Sequence, residues 1–359
     1  MTRGHVTLVG SNVPTPTTST ILASALLMLA LGCKAESNLA SEDDPPPARP
    51  SEEYAEFPEL APTPSGVPAE VWGDIGWFPS KTMEISGYPR GSSLDVVELL
   101  RSEAVDLDLP ECLTPLDGIN RYYKVGDESN VAGQTWSRTL VFYGDLDRNV
   151  IETCARKYIA RLGGGKFSHF DTMTSIGLDE DESRLYLGWM RRGGETIVVA
   201  DASLERVDAF LATRLRLERH AEFIELLRRA TFDTRTWTVG RQNYGKLMLG
   251  VENLGHVFTS EVGEVDGGTR AHFVGKLVFR SPAEASAAKA GAEQLDRRLT
   301  EFGIETTATT RAEADVLHFD VDLDVREMAP EKLPAFVQLL MAESAAADGK
   351  ERPELAPGD

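Results

Sequence analysis

The feature that most constrains this chain is an apolar run of eleven residues near its start, Ile21 to Leu31 (ILASALLMLAL), interrupted only by Ser24. A helix needs about 20 apolar residues to cross the hydrocarbon core of a bilayer. The run is therefore too short for a stable span. Its length suits the apolar centre of a secretory signal, which covers about 7–15 residues. No acidic residue precedes Glu36, and Arg3 supplies a positive charge ahead of the run. A long Thr- and Pro-rich stretch (SNVPTPTTST) separates the two. The chain reads as exported, so the remainder must fold in an oxidising compartment.

The run ends Ala30-Leu31-Gly32-Cys33. This resembles a bacterial lipobox, with small Gly32 before the cysteine and Leu31 larger than the residue usual at its place. The resemblance implies that Cys33 is diacylated and becomes the first mature residue once 1–32 are removed. Each buried CH₂ contributes about 0.8 kcal/mol and one acyl chain holds only marginally, so two or three make attachment stable. Lys34, where Asp would mark retention, implies the outer membrane, facing the periplasm or the cell surface. The alternative is an ordinary secretory signal in which Cys33 is incidental. The rest of the chain resembles bacterial lipoproteins without an assigned activity, so the resemblance implies an address and no reaction.

Residues 34–65 hold seven prolines and eight acidic residues against two basic ones. Such a segment buries too little apolar surface to offset its ordering entropy. Residues 33–65 are accordingly expected to form a disordered tether, and 348–359 (DGKERPELAPGD) a frayed tail. Cys112 and Cys154 remain inside the fold. Export favours a bridge between them. Two buried free thiols are the alternative, because cysteine is among the residues most often fully buried.

Between these ends, strand and helix patterns alternate. Thr139 to Tyr143 reads as a strand, and from Asp145 apolar residues fall at helical spacing until Gly163-Gly164-Gly165. Arg184–Met190 and Glu195–Ala200 flank a glycine turn, followed by helices over 203–214 and 219–230. Val257–Val265 and Arg270–Arg280 flank Asp266-Gly267-Gly268, a hairpin signal. Ser281-Pro282-Ala283-Glu284 combines an N-cap, a first-turn proline and a capping-box glutamate, opening a helix that runs to Gly303. Val316–Val325 alternates strictly, and a last helix is expected over 331–346. Leu140-Val141-Phe142, then a turn, a helix and glycine, recurs as Leu277-Val278-Phe279 with the same sequel. The pattern predicts an α+β fold of two subdomains, 66–240 and 241–347, each a mainly antiparallel sheet packed by helices.

Few residues point to chemistry. Asp320, Asp322 and Asp324, with Glu331 at the twelfth place, mimic a calcium loop. Val325 stands where the tight turn needs glycine, and alternate strand carboxylates lie almost 7 Å apart, so no metal site is expected. Asp179 to Glu182 reads as an exposed acidic turn. No hydrolase, zinc-protease, dinucleotide or Walker motif occurs, and no cofactor is implied. The net charge of −20 argues against nucleic acid. Inside this acidic chain, residues 206–246 carry nine basic side chains against five acidic ones. Arg214, Arg216, Arg219, Arg228, Arg229 and Arg235 are the candidate contacts for an acidic partner. Against that reading, Arg214–Glu218 and Glu225–Arg229 are helix-spaced pairs that would neutralise much of the charge. The favoured function is a lipid-anchored envelope component that binds a partner and catalyses nothing. The alternative is an envelope enzyme with a site between the subdomains.

Overall fold

The computed structural model describes residues 54–89, 101, 104–105, 108–127, 139–161, 165–177, 184–212, 216–232, 236–265, 268–301 and 305–324. Residues 1–53 with the expected signal and Cys33, the expected acidic turn 179–182, Arg214, Arg235, and everything from Val325 on lie outside the described residues.

Strands rich in Tyr, Val and Ile set the architecture. Those of the first half are β1 (Ala55–Glu56), β2 (Thr82–Pro89), β3 (Ile119–Asp127), β4 (Thr139–Gly144), β5 (Lys166–Phe170), β6 (Met173–Gly177), β7 (Arg184–Arg192) and β8 (Glu195–Asp201). The second half adds β9 (Trp237–Gly240), β10 (Gly255–Val265), β11 (Gly268–Val278), β12 (Glu305–Glu313) and β13 (Val316–Asp324). They form one sheet in the order β12-β13-β11-β10-β9-β2-β3-β4-β8-β7-β6-β5, with β1 laid parallel on β7. The other neighbours pair antiparallel. The fold is thus mixed α+β and mainly antiparallel, but a single sheet takes the place of the two expected.

The halves join where β2 pairs with β9. Ile85 faces Val239 there, and both side chains are fully buried. Gly87 lies opposite Trp237, and a Cβ at that position would sit 2.4 Å from the indole. Only glycine lets the ring lie flat across the seam. Outward from this seam the strand order reads alike in both directions, β2-β3-β4-β8-β7 and β9-β10-β11-β13-β12. Val141 and Val278 turn to one face of the sheet, and Phe142 and Phe279 to the other. The sequence echo therefore occupies matching places in the two third strands.

Seven helices are found among the described residues: α1 (Ala69–Ile75), α2 (Leu113–Asp117), α3 (Arg148–Arg161), α4 (Leu204–Leu211), α5 (Ala221–Arg228), α6 (Tyr244–Leu249) and α7 (Pro282–Glu301). Ser203 caps α4 by accepting from the Arg206 backbone N–H. The capping box of α7 is formed as well, with Ser281 Oγ accepting from Glu284 N–H and Glu284 Oε2 from Arg280 N–H. Helices α1, α4 and α5 cover one face through Trp72, Ile75, Val207, Phe210, Phe223 and Leu227. Helix α3 packs on the opposite face in the first half through Ile151 and Ala155. Helix α7 does the same in the second half through Ala285 and Ala288, whose small side chains bring it close. The result is three layers with the sheet in the middle. Cys112 and Cys154 are bridged, tying the turn before α2 to α3. In the chain-entropy picture such a loop is worth about 4 kcal/mol.

Part of the segment assigned to the tether belongs to the fold. Residues 54–65, expected to be disordered, form a strap along the α1–α5 face. Beyond the β1–β7 pairing, Phe57 packs edge-on against Trp77 at 5.6 Å. The Ala61 carbonyl accepts from Trp72 Nε1 at 3.0 Å, and the Ala61 N–H donates to Glu218 at 3.2 Å. Arg216 donates to the Glu59 carbonyl, and Arg228 to the Ser65 carbonyl at 3.1 Å. Two aromatic and aliphatic anchors, Phe57 and Leu60, supply the burial that an acidic, proline-rich count hides.

Candidate functional site

Helix α5 covers β9 and β10. Beyond its last turn the same face of the sheet is open, and a cleft of about 310 Å³ lies over β10, β11, β13 and β12. Strand register builds its floor. Thr309, Asp320, Val274 and Thr259 form one row across the four strands. Arg311, His318, Lys276 and Val257 form the next. Directly opposed residues in a sheet have Cβ atoms about 5 Å apart. Three cationic or protonatable side chains therefore stand abreast, and Arg229 closes the row from the end of α5.

Three carboxylates, Glu225, Glu313 and Asp320, stand near these charges. Lys276 Nζ donates to the Arg229 carbonyl at 3.3 Å, a neutral acceptor. Arg311 pairs with exposed Glu313 at 2.8 Å, and His318 lies 3.8 Å from the same carboxylate. Arg229 reaches Glu225 only at 3.6 Å. Asp320 is engaged by His272 at 2.9 Å. Burial, with Arg311 and Lys276 close by, pushes the His318 imidazole below its ordinary range, against an opposing pull from Glu313. The cleft thus gathers Arg229, Lys276, Arg311 and His318, while the nearby carboxylates Glu225, Glu313 and Asp320 are engaged by Arg229, Arg311 and His272.

The arginines named from sequence divide. Arg229 reaches the cleft, whereas Arg216 and Arg228 are turned onto the strap carbonyls. Arg219 is exposed at the short 3₁₀ turn Leu217–Arg219. Arg214 and Arg235 lie outside the described residues. Glu225 answers Arg229 as the helix spacing foretold, and Glu218 accepts from the Ala61 N–H of the strap. Lys276 and His318 belong to polar rows visible in the sequence. Arg311 was invisible, because Glu305–Glu313 (ETTATTRAE) has no apolar alternation to mark it as a strand.

Two buried polar clusters serve the frame. Asp74, at the end of α1, accepts from Arg121 at 2.5 and 2.8 Å, from Arg192 at 2.8 Å and from the Tyr123 hydroxyl at 2.8 Å. Glu195 answers both arginines. Burial alone would raise the Asp74 carboxyl, but the Arg121 bonds and charge, helped by Arg192 and Tyr123, hold it below its ordinary value. Beside the seam, His256 is 0% and Glu84 1% exposed, with Nε2 and Oε2 3.1 Å apart. Tyr244 donates to Glu84 at 2.8 Å, and His256 stacks on Phe258. This group lies between the two halves but is sealed inside the protein.

No group of three or more His, Cys, Asp or Glu side chains among the described residues is placed to hold a metal ion. No described helix is long and apolar enough to cross a membrane. No protein-family model matches the chain, and neither a curated protein nor a solved structure matches it.

Proposed function

We propose that the protein is a lipid-anchored component of the bacterial cell envelope that binds an anionic group of its partner in the cleft over β10–β13. The observation that carries the binding reading is the gathering of Arg229, Lys276, Arg311 and His318 on one open face, where the neighbouring carboxylates are already paired. Positive potential in a concave site raises the local concentration of anionic ligands. A photo-cross-linker at Thr309 should trap a product in intact envelopes that Lys276→Glu with Arg311→Glu abolishes. A product indifferent to this charge reversal would rule out the cleft.

The anchor reading rests on the apolar run and Cys33. Cys33→Ala should release the protein from membranes and change its mature mass, and a mutant that stays bound and unchanged in size would refute acylation. The outer membrane is the expected site because Lys34, not Asp, follows the cysteine. We further propose that the halves on either side of the β2–β9 seam are subdomains descended from one duplicated unit. The repeated strand order and the paired Leu-Val-Phe segments support this.

A further inference from the structure

We propose that the cleft ligand is a phosphoryl group, a tetrahedral dianion held between Lys276 of β11, Arg311 of β12 and His318 of β13, with the imidazole entering in its protonated form. This deepens the binding reading above and depends on it.

The site offers an ammonium, two guanidinium groups already paired with Glu225 and Glu313, and an imidazole, with Asp320 also on its floor, and a lone carboxylate brings only two oxygens to these donors. A phosphoryl group brings close to two charges near neutral pH and three strong acceptor oxygens. Arg311 and Lys276 flank His318 directly on the neighbouring strands. One oxygen each for the ammonium, the imidazolium and the guanidinium exhausts a tetrahedral group bound through its fourth. The hydroxyl-bearing Thr309 and Thr259 occupy the adjoining row.

Proton coupling follows from what faces His318. Lys276 stands on one side and Arg311 on the other, with Arg229 reaching in from α5. The acidic groups near this side are Glu313, paired with Arg311, Asp320, held by His272, and Glu225 of α5, paired with Arg229, with Asp322 two places beyond Asp320 on the same face of β13. Burial first, and then the flanking cations Arg311 and Lys276, oppose a positive charge on the ring, against a smaller pull from Glu313. A bound dianion reverses the sign of the local field and favours protonation. Binding therefore takes up a proton and tightens as pH falls, across the range where histidine ordinarily titrates.

Sulfate is the clean probe, because it stays a dianion throughout that range and any proton taken up belongs to the protein. Calorimetric titration of the full chain, in buffers of different ionisation enthalpy, should show sulfate binding about tenfold tighter near pH 5.5 than near pH 7.5, the effect of a one-unit rise at one group. His318→Gln should keep the affinity at the higher pH and lose the dependence, while His169→Gln, on the far edge strand β5, keeps both. Lys276→Ala with Arg311→Ala should weaken binding at least about tenfold at either pH. Thermal melts check that each variant is folded. Sulfate that binds equally at both pH values, yet is lost in the double variant, overturns the protonation and leaves the cleft reading standing. Sulfate binding untouched by the double variant, or none at all, overturns the phosphoryl site, while the Thr309 cross-link still tests the partner reading by itself. Inorganic phosphate and vesicles of phosphatidylcholine, with and without phosphatidylglycerol, separate the sources. Recruitment to phosphatidylglycerol that the double variant loses identifies a lipid head group. Binding of soluble phosphate without such recruitment identifies a free phosphoryl ligand.

Discussion

Arg228 donates through Nε to the carbonyl of Ser65, 163 positions earlier in the chain, at 3.1 Å. With the Arg216 bond to Glu59, this fastens an extended, proline-rich segment whose carbonyls have no sheet neighbour to satisfy them. Arg216→Ala with Arg228→Ala removes two such bonds, each worth about 1 kcal/mol. The expected outcome is local: faster amide exchange and protease cleavage within 54–65, with little change in melting temperature. Unchanged protection there would mean that Phe57 and Leu60 hold the strap without help.

Asp74 is the charge on which the first half is assembled, since α1, β3 and β7 meet at it. Asp74→Asn leaves two arginines short of a partner and should cost about 3 kcal/mol in urea unfolding. The pH behaviour has a definite sign. The folded-state carboxyl sits below its ordinary value of 3.8, so its contribution is fully present above that pH and is lost as pH falls through the lower, folded-state value. Wild-type stability should decline on that acid limb, and the Asn variant should lose much of the slope. Parallel acid limbs in the two proteins would contradict the assignment.

The Cys112–Cys154 bridge closes a loop with a sequence separation of 42. Replacing both cysteines by serine should lower stability by up to about 4 kcal/mol. Mass measurement of the exported wild type after alkylation should find neither thiol free, and two labelled cysteines would contradict the bridge.

Gly87→Ala tests the seam. Its new methyl would meet the Trp237 indole, and overpacking of this kind costs about 1–3 kcal/mol. Trp237→Leu removes the Cε2, Cζ2 and Nε1 atoms that the methyl would meet, so the double variant should recover part of the loss. Additive losses would show that the seam does not depend on this contact.

Elements with a strong local signature were legible in the sequence. Strand β4, helix α3, the β10–β11 hairpin and the capping box of α7 each show their period or cap within a dozen residues. What escaped notice depends on partners far along the chain. Strand β9 has only four residues (WTVG) and exists because β2 and β10 flank it. Strand β12 is polar along its length and is held by β13. The same non-locality divided the arginines. Sequence showed a basic island, but not that the carbonyls of Glu59 and Ser65 would claim Arg216 and Arg228. It placed Arg229 among the contacts, and could not place Lys276, His318 and Arg311 beside it, because that row is created by register across three strands.

The strap also decides how the protein would carry tension. Were a pull applied at Cys33, the first described contacts in its path would be the short β1–β7 pairing and the bonds to Glu59, Ala61 and Ser65. The β2–β9 seam lies further along the chain, beyond α1. Such a pull would load the strap before the seam that joins the two halves.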